Sequence, residues 1–173
     1  MSAELDTAIY QRLTGIESLT GAAATAQAAL IAFLATDPDT GRAAVYNMNL
    51  NDAQLTDGSG NKVPVYPCLT FRQSAGMADS TMWNASAIHE KAFYDVEIWS
   101  DSRSHLPVKQ ALENVDRLLD YRFGAVNETT NPLTLANGKV HLSETAITLN
   151  SHYDRNLHAW AGLVRYAITL SRW

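Results

Sequence analysis

The chain has 173 residues, 46% of them apolar and 18% charged, and a formal net charge of −5. That balance fits one folded domain, excludes wholesale disorder, and speaks against a direct nucleic-acid binder, which is usually basic. The acidity is one-sided: residues 1–90 hold 4 Lys or Arg against 9 Asp or Glu, whereas residues 91–173 hold 9 of each.

Along the chain, Leu5, Ala8, Ile9 and Leu13 recur at helical spacing, and Thr14-Gly15 ends that helix. Thr20 is placed to cap a second helix over residues 22–35, whose large apolar residues, Leu30, Ile31, Phe33 and Leu34, all fall in its last turns. The helical region is therefore expected over 1–35. TDPDTG (36–41) reads as a turn, residues 43–50 as a strand, and residues 55–64 as a loop or hairpin tip. Residues 63–73 read as a strand with Pro64 and Pro67 near its start, which fits an edge or a strand entry because proline donates no ladder hydrogen bond. Over 92–99 the pattern alternates. Tyr94, Val96 and Ile98 share one face, and Asp95 and Glu97 share the other with Phe93 and Trp99. Val108, Ala111, Leu112, Val115, Leu118 and Leu119 then form one apolar helical stripe, with Lys109, Glu113 and Arg117 four apart on the outer side. Residues 140–149 and 161–170 read as strands. The expected order, α-α-β-β-β-α-β-β, implies a single α+β domain over 1–173, a mostly antiparallel sheet with helices packed on one face.

No run approaches the roughly 20 apolar residues of a membrane span, and the acidic start lacks a signal-peptide core, so the chain is expected in a cytoplasm without a membrane partner. The single cysteine, Cys68, excludes an internal disulfide and a multi-cysteine zinc site, and its apolar neighbours read it as a buried thiol.

Three groups invite a chemical reading. The joint SDSRSH (100–105) sets serine, acid and histidine side by side. A strand-to-helix joint needs the same residues: Ser104 stands before Leu106, Pro107 in the first turn needs no N–H partner, and Ser102 or Asp101 is an alternative cap. A serine nucleophile would need a histidine, an acid and an oxyanion hole in one geometry, and no G-x-S-x-G elbow is present. Ser104 is accordingly read as a helix cap. His152, Asp154 and His158 could approach one another, but their spacing matches no standard zinc pattern. Asp95 and Glu97, about 7 Å apart by strand rise, are read as a solvent face or an intersubunit contact before a carboxylate pair. No catalytic, metal-ligating or cofactor-binding residue is assigned, and no cofactor is expected.

The YPCLTF strand, a strand ending Trp99-Ser100-Asp101, a helix ending VDRLLD and the late GLVRYAITL strand occur in an order that resembles the tail-terminator and tail-completion proteins of long-tailed bacteriophages and their prophage relatives. The resemblance covers residues 63–173 well and the first third in outline. It implies a non-enzymatic virion protein that assembles with itself as a ring, usually of six, on the last ring of the tail tube. There it would stop tube growth, offer a joining surface to the head's connector or neck protein, and let DNA pass through the channel without specific binding. It would be made in the host cytoplasm and reside in the virion. A neck or head-completion protein is the nearest alternative, and a small hydrolase of unknown substrate the more distant one. A segment at 74–90 departs from the family pattern. Connections longer than ~12–15 residues are usually functional or disordered. This one carries Met77, Met82 and Trp83, residue types favoured at protein contacts, so it is expected to be a loop that orders against a neighbouring subunit or the tail tube, the alternative being that Trp83 folds back and finishes the core of its own domain.

Overall fold

A computed structural model of the chain describes residues 2–47, 54–56, 62–77, 88–122 and 132–172. Helices α1 (Ser2–Leu13) and α2 (Gly21–Phe33) come first, followed by strands β1 (Val45–Tyr46), β2 (Gln54–Thr56), β3 (Lys62–Pro64), β4 (Cys68–Met77) and β5 (Ile88–Ser100). Helix α3 (Leu106–Leu119) then leads to β6 (Tyr121–Arg122), β7 (Gly138–Asp154) and β8 (Ala159–Arg172). The fold is α+β. Six strands form one sheet in the order β1-β4-β5-β8-β7-β6, antiparallel except at β1–β4, while β2 and β3 pair only with each other in the described residues.

The core lies between the helices and one face of that sheet. Tyr94, Val96 and Ile98 of β5 are buried there with Val164, Tyr166, Ile168 and Leu170 of β8 and the whole stripe of α3 from Val108 to Leu119. The alternation of β5 and the 3.6-residue period of α3 thus meet across one interface, as their patterns require. The register places Ile98 opposite Gly162 and Val96 opposite Val164. A Cβ at Gly162 would lie 2.6 Å from Leu112 Cδ1 and 3.0 Å from Val108 Cγ1, so glycine lets α3 sit close on β8. On the helical side, Leu5, Ala8, Ile9 and Leu13 bury the inner face of α1, and the Tyr94 hydroxyl donates to Asp6 Oδ1 at 2.6 Å. Gly15 closes α1 with φ +77°, a left-handed conformation that favours glycine.

Several expectations change in detail. Thr20 stands at the N-cap of α2, but its side chain makes no capping bond. The packing of α2 extends to its first turns, because Ala23, Ala26 and Gln27 are buried as well as Leu30. The strand expected over 63–73 is broken at Val65–Pro67: β3 pairs with β2, and the sheet strand begins at Cys68. β4 continues to Met77, which pairs with Lys91, and β5 already begins at Ile88, so both flanks of the expected 74–90 loop are strand. Small residues there have weak strand preference, and cross-strand pairing overrides it, with a register shift between Gln73 and Ala75. Met82 and Trp83 lie outside the described residues. β7 extends well past residue 149, because its polar end, Ser151–Asp154, is held by pairing with β8 and not by an apolar pattern.

Candidate functional site

At the joint between β5 and α3, the polar side chains serve the local backbone. Ser100 Oγ accepts the Ser102 N–H at 3.2 Å, the Ser102 hydroxyl donates to the Ser104 carbonyl at 2.7 Å, and Ser104 Oγ accepts the Leu106 N–H at 3.2 Å. His105 occupies the N-cap position in helical conformation without a side-chain cap, and its carbonyl accepts the Lys109 N–H at 3.1 Å. Its ring lies against Trp160, with centroids 5.4 Å apart and planes tilted by 54°. The serine, acid and histidine of the joint are therefore not assembled as nucleophile, base and orienting acid.

The two carboxylates keep to one face of β5 but take different partners. Asp95 is buried, not solvent-facing: Arg165 Nε and Nη2 donate to its two oxygens at 2.6 and 2.9 Å across the β5–β8 register. Burial pushes the Asp95 carboxyl up, but the hydrogen bonds and charge of Arg165, helped by Ser74 and Arg72, outweigh it and hold the group below its ordinary value. Glu97 accepts the Trp99 indole N–H at 3.3 Å and lies 3.9 Å from Arg72. Both acids belong to an ion-paired outer face of the sheet. At the tip of the β7–β8 hairpin, Asp154 Oδ1 accepts the N–H groups of Asn156 and Leu157 at 2.8 and 3.1 Å, which makes it a turn residue. Among the described residues no cluster of three His, Cys, Asp or Glu could hold a metal ion.

What the structure does build is a groove of about 430 Å³ between α3 and the adjoining ends of β7 and β8. Leu112 and Val164 give it apolar walls, Thr148 and Ser151 line it from β7, and Lys109, Glu113 and Asp116 line it from α3. His105 and Trp160 close one end, where Tyr153 meets Trp160 edge-on at 5.4 Å. Asp116 is anchored, because its Oδ1 accepts the hydroxyls of Thr145 at 2.6 Å and Tyr166 at 3.1 Å. Burial, reinforced by Asp116, pushes the Tyr166 hydroxyl well above its ordinary value, so it is a fixed donor. Tyr153, against Trp160, is 44% exposed, and Leu106, the first residue of α3, is 51% exposed. An apolar floor, an aromatic end and both signs of charge suit the capture of a side chain or turn from another protein.

In the sequence, residues 152–158 stand out for their histidines and not for the tyrosine among them. Leu106 was legible as an apolar residue off the α3 stripe. Trp160 had no local signal, because its role depends on His105, a residue distant in the chain.

No family model matches the chain, and no curated protein matches it. Among solved structures, one chain of the virion of native gene transfer agent (GTA) particle has the same fold. The TM-score is 0.58 over 98% of this chain and 96% of that chain, at 14% sequence identity. At that identity the likeness is one of fold.

Proposed function

We propose that this chain is a structural subunit of a phage-like virion, acting as a ring at the head-proximal end of the tail tube. There it ends tube growth and supplies the surface on which head and tail join. The observation that carries this reading is the near end-to-end likeness to a chain of a gene transfer agent particle. The order of strand and helix motifs from residue 63 onward supports it independently. The site is consistent with the role, because its groove is shaped for contact and its joint residues are occupied with the backbone. Partners on this reading are further copies of the chain, the tube protein and the connector. Among the described residues no helix is long and apolar enough to cross a membrane.

A reconstruction of particles, or immunolabelling with antibody to this chain, tests the proposal. Density at the tube end nearest the head is expected. Density within the connector layer would reassign the chain to the neck, and absence from particles would end the reading. As part of the same proposal, the segment around Met77, Met82 and Trp83 contacts a neighbour in the assembled particle. Trp83→Ala combined with Met82→Ala should leave the melting temperature nearly unchanged and block head–tail joining.

A further inference from the structure

The two ends of the groove differ in charge. Along α3 its lining runs from His105 and Lys109 at the Trp160 end to Glu113 and Asp116 at the other, about 16 Å of helix from first to last. The two carboxylates stand three residues apart on one side of the helix. Asp116 Oδ1 is held by the hydroxyls of Thr145 and Tyr166, whereas its Oδ2 accepts no hydrogen bond from a described residue. Among the described residues no ion pair reaches Glu113 or Asp116, even from Lys109 one turn away from Glu113. The hydroxyl oxygens of Thr148 and Ser151 add acceptors from β7, and Leu112 and Val164 supply apolar surface between.

The acidic end thus offers acceptors and negative charge that the described fold leaves without a cation. Thr145 and Tyr166 already fix the Asp116 carboxylate, so little ordering is left for an incoming cation to impose. Arginine suits this end better than lysine. Its planar guanidinium presents five donors in a fork and stays charged, and its aliphatic stem can lie on Leu112 and Val164. The surroundings favour an arginine carried on a polypeptide. A groove of about 430 Å³ exceeds one side chain, and beyond Ser143 the outer edge of β7 pairs with no strand among the described residues. Backbone groups on that edge can meet a passing main chain, and the register shifts at Thr145/Ile147 and Leu149/His152 keep such pairing short.

We infer that the acidic end of the groove binds an arginine side chain of a partner protein, with the guanidinium between Glu113 and Asp116 and the stem on Leu112 and Val164. The arginine sits in a short extended segment that lies along β7. Lys109 is a like charge one turn from Glu113, so its removal should strengthen the contact. The contact depends on the groove alone and not on where the chain sits in a particle, which particle labelling reads separately.

The test titrates the full chain with the capped peptide acetyl-Gly-Arg-Gly-amide and follows backbone amide resonances by NMR. Those of Thr148 and Ser151 should shift and saturate, and added salt should weaken the binding. The same peptide with citrulline, which has arginine's shape without its charge, should bind about tenfold more weakly. Glu113→Gln should weaken the arginine peptide about fivefold and Asp116→Asn about tenfold, whereas Lys109→Gln should tighten it. Asp39→Asn removes the same charge from an exposed position in the turn before β1 and should change nothing. If Asp116→Asn unfolds, Glu113→Gln decides alone, because Glu113 is exposed. Absence of a saturable shift, equal binding of the citrulline peptide, unchanged affinity in Glu113→Gln, or equal weakening by Asp39→Asn would overturn the inference. Tighter binding of free arginine than of the capped peptide would also overturn it, because the occupant would then be a small molecule.

Discussion

Arg12 and Glu17 form a closed pair inside the fold: two guanidinium nitrogens meet the two carboxylate oxygens, each at 2.7 Å. The same guanidinium reaches the carbonyls of Leu118 at 3.3 Å and Pro132 at 3.0 Å, and Arg12 is 1% exposed. One side chain thereby joins the end of α1, the following turn, the end of α3 and the segment leading to β7. Arg12→Met would leave a carboxylate and two carbonyls without this donor. Breaking a buried pair by removing one partner costs ~3–5 kcal/mol, and urea unfolding should show a loss of that order. Glu17→Gln should cost less, because the Glu17 side chain is 21% exposed. A loss under ~1 kcal/mol for Arg12→Met would mean that water replaces the guanidinium.

Gly162→Ala tests the seat of α3. The added methyl would meet Leu112 and Val108 in the core, and overpacking of this kind costs ~1–3 kcal/mol. Leu112 also walls the groove, so the helix cannot shift to relieve the clash without altering that surface. Thermal unfolding should show the loss, and an unchanged melting temperature would indicate that Leu112 simply changes rotamer.

Asp95 predicts acid behaviour. Its carboxyl is held below the ordinary value in the folded chain, so its contribution is fully present above the unfolded pKa of about 3.9 and is lost as pH falls through the lower folded value. Asp95→Asn should be less stable than the parent at neutral pH, and the gap should narrow as pH falls below about 4. A gap independent of pH over that range would show that packing, not charge, accounts for it.

Cys68 should be inert. Burial pushes its thiol from 9.0 up to about 12, which leaves roughly one thiolate in ten thousand at pH 8. Iodoacetamide at that pH should label the chain only after denaturant is added, and rapid native labelling would place the thiol within reach of solvent.

Ser104→Ala removes the acceptor of the Leu106 N–H, one of the amides a helix start leaves without an internal partner. A loss of about 1 kcal/mol is expected, with head–tail joining intact. A folded Ser104→Ala protein that no longer supports joining would reopen a direct role for the joint.

Much of this architecture could be read from local pattern. The buried face of β5 and the stripe of α3 are each periodic over many residues, and both form as expected, as does the strand over 161–170. The shorter and more polar elements could not be read in that way. β6 has two residues and exists through its pairing with Ser143 and Leu142, and the polar end of β7 exists through β8. The groove was illegible for the same reason, because α3, β7 and β8 each contribute to its walls and none carries it alone. Of the two readings of Asp95, a solvent face or an intersubunit contact, the first fails because its cover, Arg165, lies 70 residues away in the chain.

The position of β8 has a consequence for synthesis. The strand at the middle of the sheet, with β5 on one side and β7 on the other, follows every other described element in the chain. As the polypeptide emerges, β4–β5 and the stripe of α3 are available early, but the two halves of the sheet have no common neighbour until residues 159–172 appear. Pairings so distant in sequence are slow to form. Loss of those residues would leave two separate sheet fragments and a helix stripped of its central strand partner, not a slightly weakened subunit, so a prematurely stopped chain should lack the folded surface with which to enter an assembly.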